Sequence, residues 1–288
     1  MRLGNLFDIP EGQLGFGRML ADRGATAAVR ASGHEAQGLA LLLLGRPRAA
    51  LLQIDSAAAL FGTPEAELAR WEWRALGPAL GLPVADLAVR ADAVRRLERI
   101  AGGSLGVRAA WALATEAQTR GDTAAVARWR RQLDRADGPV ATALAALAAA
   151  ADEAARGRLD SALARTAPLL RSDGSGLVRD PFARAILYLR RGDWQLAAGD
   201  STAAARSWLW TDAWDVEGWP QGTAQAGEVD AALAAVARLR RAGLSVANRG
   251  RNGEACRLLA RVRQLWSGAE PALAPLRAVA DSHQKVCQ

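Results

Sequence analysis

The chain has 288 residues, half of them hydrophobic, and a formal net charge of +7 that comes almost entirely from arginine, with Lys285 as the single lysine. Good helix formers dominate, and alternating Val-, Ile- or Thr-rich runs are nearly absent, which excludes a predominantly β-sheet protein. The most apolar run, residues 140–151, is mostly alanine and shorter than the roughly 20 residues of a membrane span. Because no targeting segment follows Met1, we expect a soluble protein.

The first 20 residues contain four glycines and a proline, and we expect residues 1–20 to be poorly ordered. Residues 21–288 are predicted to form one helical repeat domain, with a loop over 171–180. The helices are predicted in antiparallel pairs with a final capping helix at 271–286. In chain order the pairs are 23–44 with 47–61, 64–79 with 84–101, 105–120 with 122–136, 138–156 with 158–171, 181–198 with 201–214, and 228–247 with 253–267.

A recurring glycine separates the two helices of most pairs. It follows an apolar helical stretch at Gly45, Gly121, Gly157, Gly199 and Gly250. Glycine ends a helix in the left-handed conformation without steric cost, and the small residue about one turn later lets the second helix approach closely. Spacings of about 36 to 51 residues are typical of helical solenoids. The small residues are Ala50, Ala162, Ala204 and Ala255.

These features make residues 20–268 resemble a divergent tetratricopeptide-repeat protein. In that family a second glycine precedes the turn glycine by seven residues, as Gly38, Gly192 and Gly243 do here. A large residue follows the turn glycine by nine positions, as Trp208 follows Gly199 in the best-preserved unit. Arg130, nine positions after Gly121, departs from the pattern. The resemblance implies an all-α fold, an α-solenoid of helix pairs in a right-handed superhelix, which presents a concave surface to a protein or peptide.

The C-terminal hundred residues are also similar to repeat regions of large bacterial signalling proteins, which carry a kinase or transcriptional-activator domain. The similarity rests on residues 192–194, 208–210, 218–220 and 225–230. It implies a regulatory or sensor region whose effector domain is absent from this chain.

Residues that could support catalysis are scarce. The two histidines, His34 and His283, lie at opposite ends of the predicted stack, and no nucleophile elbow or phosphate-binding loop is present. Two cysteines and two distant histidines do not form a zinc site without several carboxylates. The chain is therefore not expected to be an enzyme, and no cofactor or metal is expected.

Five of the ten tryptophans lie between residues 194 and 219. Trp210 and Trp214 share one face of a predicted helix, and Asp215 and Trp219 belong to the loop that follows. Tryptophan is enriched at interface hot spots, so these four residues are our candidates for partner contact. The alternative is that the rings fill core space left by small alanines.

Arginines form three clusters that have two interpretations. A solvated helix face explains them, and a basic groove for an acidic peptide or RNA is the alternative. Nearby acids, Glu98, Asp134 and Asp137, argue against nucleic acid as the main partner, although an RNA-binding helical repeat remains a third hypothesis. The clusters are Arg90, Arg95, Arg96 and Arg99; Arg128, Arg130, Arg131 and Arg135; and Arg238, Arg240 and Arg241.

The two cysteines, Cys256 and Cys287, lie on predicted antiparallel helices. At roughly 1.5 Å rise per residue they come within about one turn of each other. Either a disulfide that holds the capping helix or two free thiols fits the sequence. A cytoplasmic location is the default expectation, and a bridge would indicate an oxidising compartment.

Overall fold

The computed structural model describes residues 10–170, 180–209, 224–249 and 253–287, and all its regular elements are helical. The all-α class predicted from the sequence is confirmed for this part of the chain. No helix in these ranges is long and apolar enough to cross a membrane. The helices are α1 (Pro10–Arg23), α2 (Ala27–Leu43), α3 (Pro47–Phe61), α4 (Pro64–Leu76), α5 (Leu87–Ile100), α6 (Gly106–Arg120), α7 (Thr123–Asp134), α8 (Pro139–Ala155), α9 (Leu159–Thr166), α10 (Pro181–Ala197), α11 (Ser201–Leu209), α12 (Ala224–Arg249), α13 (Gly253–Leu265) and α14 (Ala274–Gln284).

Short 3-10 helices extend several of these elements, at Gly77–Leu80, Ala167–Leu170, Pro271–Leu273 and Lys285–Cys287. The last two flank α14 and lie within or beside the range expected for the capping helix. The chain divides into two compact units. The first comprises Met1–Gly62, Ala205–Trp219 and Glu228–Gln288, and the second comprises Thr63–Ala204 and Pro220–Gly227.

Helix ends follow local sequence signals. Asp122, for example, accepts a hydrogen bond from the amide of Ala125 at 2.9 Å, which satisfies an amide that has no partner within the helix. The predicted turn glycines Gly45, Gly121, Gly157 and Gly199 adopt φ angles of 70°, 72°, 78° and 88°. Gly250 lies outside the described residues.

The small residues predicted to lie where paired helices approach are inaccessible to solvent. Ala50, Ala162, Ala204 and Ala255 have no exposed surface, and Trp208 is 2% exposed. Gly38 and Gly192 lie inside their helices, and Gly192 is buried. A Cβ on Gly38 would approach the Ile54 side chain to 3.0 Å, so α2 and α3 touch at this point. A Cβ on Gly243 would lie 3.0 Å from the His283 ring, which therefore packs α14 against α12.

We expected residues 1–20 to be poorly ordered, but residues 10–20 belong to helix α1. Residues 1–9 lie outside the described part. A Cβ on Gly17 would lie 2.8 Å from the Gly33 carbonyl oxygen, and a Cβ on Gly33 would lie 2.6 Å from the Gly17 carbonyl oxygen. The absence of side chains thus lets the backbones of α1 and α2 meet. These glycines permit close helix packing, which outweighs their weak intrinsic helix propensity.

In the first unit, the segment between α13 and α14 packs on the turn between α2 and α3. The Glu270 carboxylate accepts hydrogen bonds from the amides of Arg48 at 2.9 Å and Ala49 at 3.2 Å, and so caps α3. The Trp266 indole donates to the Leu43 carbonyl at 3.2 Å, and the Glu270 amide donates to the Gly45 carbonyl at 2.9 Å. Glu270, more than 220 positions away in sequence, thus supplies the cap of α3 that the local residue, Arg46, does not provide.

Helices α13 and α14 contact each other and form the C-terminal hairpin. This hairpin carries a disulfide between Cys256 and Cys287, whose Cα atoms are 5.6 Å apart. Cys256 lies in the first turn of α13, and Cys287 follows α14. The bridge therefore closes the base of the hairpin, while the segment from Trp266 to Leu273 forms its tip. Of the two states that the sequence allows for these cysteines, the structure contains the bridged one.

In the second unit, consecutive helices from α4 to α10 contact each other, as repeat packing requires. Helix α6 is buried on nearly all sides from Ala109 to Ala117, which is typical of a central helix. Contacts also join helices that are distant in sequence, because the Trp73 ring on α4 meets the Phe182 ring on α10 with centroids 4.8 Å apart. Helices α4 and α10, which are far apart in sequence, therefore pack on each other.

Candidate functional site

Helix α7 has an amphipathic sequence that leaves space on both of its flanks. Val126, Trp129 and Leu133 are its buried residues, and their spacing of three to four positions places them on one face. Three of the flanking positions carry alanines, namely Ala124, Ala125 and Ala127. Two surface clefts result, one on each side of α7.

The first cleft, which we call the α5–α7 cleft, lies among α5, α6 and α7 and has a volume of about 370 Å³. Val94, Leu113, Ala117 and Trp129 give it an apolar lining, with Ala124 at its α7 side. Leu113 and Trp129 are themselves buried, so the lining is held by the core. Such a cleft offers space for one apolar side chain of a partner.

Ion pairs border the α5–α7 cleft. The buried Glu116 carboxylate accepts hydrogen bonds from Arg90 at 3.2 Å and from Arg120 at 2.8 and 2.9 Å. On the opposite border, Arg128 lies 3.5 Å from Glu98. Because Glu116 is buried and doubly paired, its arginines are held in place, whereas the exposed Arg128–Glu98 pair contributes little to stability.

The second cleft, which we call the α7–α8 cleft, lies on the other flank of α7 and has a volume of about 270 Å³. Ala127 and Ala155 form part of its lining. Asp152 accepts from Arg130 at 2.6 Å and pairs with Arg156 at 2.9 Å. An arginine of α7 thus reaches a carboxylate of a neighbouring helix on each flank.

Two indole rings hold guanidinium groups, and one of these rings, Trp129, lines the α5–α7 cleft. Arg128 stacks over Trp129 at 4.3 Å, and Arg96 lies 5.4 Å from the centre of Trp71. Arg70 and Arg74 stack on the same Trp71 ring. These contacts restrict the orientation of the guanidinium planes.

The arginine clusters predicted from the sequence separate into paired and unpaired members. Arg90 and Arg130 are held by carboxylates, as described above, and Arg95 contacts Asp92 at 3.1 Å. In the third cluster, Arg241 pairs with Glu254 at 3.0 Å. Arg99, Arg131 and Arg135 are exposed and form no ion pair with any residue in the described ranges.

A buried ionic cluster lies elsewhere in the second unit and joins three helices. Arg108 on α6 donates two hydrogen bonds to Glu72 on α4, at 2.8 and 2.6 Å, and lies 3.2 Å from Asp180 at the start of α10. Burial raises the pKa of Glu72 to about 7; Arg108 opposes this rise and Asp180 adds to it. Perturbed carboxyls occur in active sites and in structural networks alike, and this one links α4, α6 and α10.

Glu72 makes the stability of the second unit depend on pH. The folded protein holds this proton more tightly than the unfolded chain, whose carboxyl has a pKa near 4.5. The stabilisation is therefore complete below pH 4.5 and is lost as the pH rises to about 7. We expect the free energy of unfolding of the wild type, minus that of Glu72→Gln, to fall by about 3 kcal/mol across this interval. Urea titrations at successive pH values measure the difference, and a constant or rising difference would contradict the assignment.

Of the residues singled out in the sequence, Arg128 and Arg130 line the clefts. Trp210, Trp214, Asp215 and Trp219 lie outside the described residues. The clefts were missed, although one signal was present, because the outward positions of α7 combine alanines with arginines. Alanines are so frequent in this chain that the signal becomes specific only once the neighbours of α7 are known.

The two histidines have packing roles. His34 Nδ1 lies 2.7 Å from the Gln53 side-chain oxygen, within hydrogen-bonding distance, and His283 lies against Gly243. Among the described residues, no group of three or more His, Cys, Asp or Glu side chains is arranged to hold a metal ion. The α5–α7 cleft is our candidate binding site because it combines an apolar lining with a charged border. In comparisons with protein-family models, curated proteins and solved structures, the chain matches none.

Proposed function

We propose that this chain is a non-catalytic α-solenoid repeat protein of tetratricopeptide type that binds a segment of another protein, and that the α5–α7 cleft receives it. The observation that carries the proposal is the combination of an apolar lining with a border of fixed ion pairs. Binding sites for protein segments pair an apolar centre with a polar rim. In the second unit, α4, α6 and α10 pack on each other through their inner sides, so we assign the partner to the outer clefts of this unit.

The repeat architecture supports the same proposal through its local geometry. Glycine turns, buried alanines and contacts between consecutive helices recur along the chain. Helical repeats expose extended surfaces that suit protein recognition. Because a fold of this kind hosts many partners, the binding site is argued from the cleft and not from the fold.

The disulfide supports a proposal about location. Disulfides persist in oxidising compartments and are rare where thiols are kept reduced. The Cys256–Cys287 bridge uses both cysteines of the chain, and we propose that the protein works outside the reducing cytosol.

Filling the cleft tests the binding proposal. Ala124 is exposed and borders the α5–α7 cleft, so Ala124→Trp should occupy the space and leave the fold intact. We expect peptides selected by display on the wild-type protein to bind this variant about tenfold more weakly or worse, a change of about 1.4 kcal/mol. Fluorescence anisotropy with the selected peptides measures the change.

Ala91→Trp is the matched control, because Ala91 is also an exposed helical alanine but does not line the cleft. This variant should bind the selected peptides as the wild type does. Equal binding to both tryptophan variants, or no peptide enriched above background, would contradict the proposed function.

A further inference from the structure

We propose that the partner segment is acidic, with an apolar side chain in the α5–α7 cleft and carboxylates on the arginines beside it. This inference rests on the proposed function and specifies the chemistry of its partner. We call the exposed arginines of α5 and α7, together with Arg135 directly after α7, the arginine face. Its members are Arg95, Arg96, Arg99, Arg128, Arg131 and Arg135.

One member of the arginine face, Arg128, lines the α5–α7 cleft, and the others lie on α5, on α7 or directly after α7. On the α7 side, Ala124, Arg128 and Arg131 are separated by four and three residues, which places them on one helix face beside the cleft. On the α5 side, Arg95 and Arg99 are four residues apart and lie next to Glu98, which lines the cleft. A segment lying in the cleft and continuing over Glu98 would therefore meet Arg128 on α7 and Arg95 and Arg99 on α5.

The charge on this face is only partly balanced within the protein. Asp92 is shared between Arg95 at 3.1 Å and Arg96 at 3.9 Å, and Arg128 has Glu98 at 3.5 Å. Arg99, Arg131 and Arg135 have no ion pair within the described part of the chain, and acids are fewer than arginines here. An excess of positive charge attracts acidic segments and speeds their association.

The geometry of the guanidinium groups also suits carboxylates. Arg96 and Arg128 are stacked near Trp71 and Trp129, yet their side chains are 47% and 62% exposed. Stacking fixes the plane of a guanidinium and leaves its N–H groups available at the edge. Carboxylates accept two such hydrogen bonds at once, so little conformational entropy is lost on binding.

The carboxylates within the site favour a protein over a nucleic acid. Glu98 and Asp122 line the α5–α7 cleft with 38% of each side chain exposed, where they would repel a phosphate backbone that follows the groove. Apolar side chains, among them Val94, Leu113 and Trp129, line the space between them. An acidic peptide can place its charges on the arginine face and only an apolar residue in the cleft, which a uniformly charged backbone cannot do.

The test uses a short fluorescein-labelled peptide in which glutamates flank two leucines, and a copy with glutamine in place of glutamate. We expect the glutamate peptide to bind the wild-type protein, with affinity that falls as salt rises, and the glutamine copy to bind at least about tenfold more weakly. The double variant R99E/R131E should weaken binding of the glutamate peptide by about tenfold at low salt. R18E/R23E, which reverses two exposed arginines on α1, is the matched control and should bind as the wild type does.

The outcomes separate this inference from the proposed function. Cleft-dependent binding of display-selected peptides that are not acidic, or that bind R99E/R131E as tightly as the wild type, would overturn the acidic partner and leave the proposed function standing. Peptide binding that Ala124→Trp does not weaken would overturn both the acidic partner and the proposed function. Tighter binding of a single-stranded RNA of matched length, weakened by the same arginine reversals, would also overturn the acidic-peptide assignment.

Discussion

Gly45→Ala is expected to lower the free energy of unfolding of the first unit by about 2–5 kcal/mol. Gly45 has a φ of +70°, a conformation that a Cβ makes unfavourable. The added Cβ would also lie 2.7 Å from the Leu273 side chain and 2.8 Å from Ala269 Cβ. Both penalties act at the point where the C-terminal hairpin packs on the α2–α3 turn, so the substitution strains the turn and separates the hairpin from it. Urea unfolding followed by far-UV circular dichroism measures the loss.

Gly62→Ala provides a matched control in the same unit. Gly62 also follows a helix with a positive φ, +63°, but a Cβ there would meet nothing within 4 Å. The control should therefore show only the backbone penalty of about 1–2 kcal/mol. If Gly45→Ala and Gly62→Ala lose the same stability, the packing of the hairpin tip against Gly45 does not contribute as we argue.

Removing the disulfide is expected to lower the free energy of unfolding about as much as Gly45→Ala does. Cys256 and Cys287 are separated by 31 positions, and closing a loop of this size restricts the unfolded chain by an amount equivalent to about 3–4 kcal/mol. The variant C256S/C287S should unfold at correspondingly lower urea concentration than the oxidised wild type. The capping helix should also exchange its amide hydrogens faster, because the base of its hairpin is no longer closed.

The reductant experiment has an internal control. Adding a reducing agent should shift the unfolding midpoint of the wild type toward that of the double variant and leave the double variant unchanged, since the chain has no other cysteine. Two free thiols titrated in the denatured, unreduced protein would show that the bridge is absent. That result would also remove the support for an oxidising compartment.

The helices themselves were largely predictable. The predicted range 47–61 coincides with α3, and most other boundaries agree within three or four residues. Helix α1 is the exception, because Gly12, Gly15 and Gly17 suggested a poorly ordered segment. Gly17 allows close packing only because Gly33, on the next helix, also lacks a side chain where the two backbones meet.

The candidate site was much less predictable. The arginine clusters were visible in the sequence, and the structure distinguishes paired members such as Arg90 from unpaired ones such as Arg99. Which arginine meets a carboxylate depends on the distance between helices, as in the contact of Arg90 with Glu116. The α5–α7 cleft likewise exists because three helices meet around Ala124.

The sequence alone determined what short-range interactions decide, namely the helical class, the glycine turns and caps such as Asp122. Each of these depends on residues within about one turn, so the pattern of a single stretch contains the information. The tertiary structure decided which distant groups meet: Glu270 at the start of α3, and Glu72 with Arg108. Such contacts depend on how helices assemble, and no periodicity along one stretch encodes the partner of a residue that lies tens or hundreds of positions away.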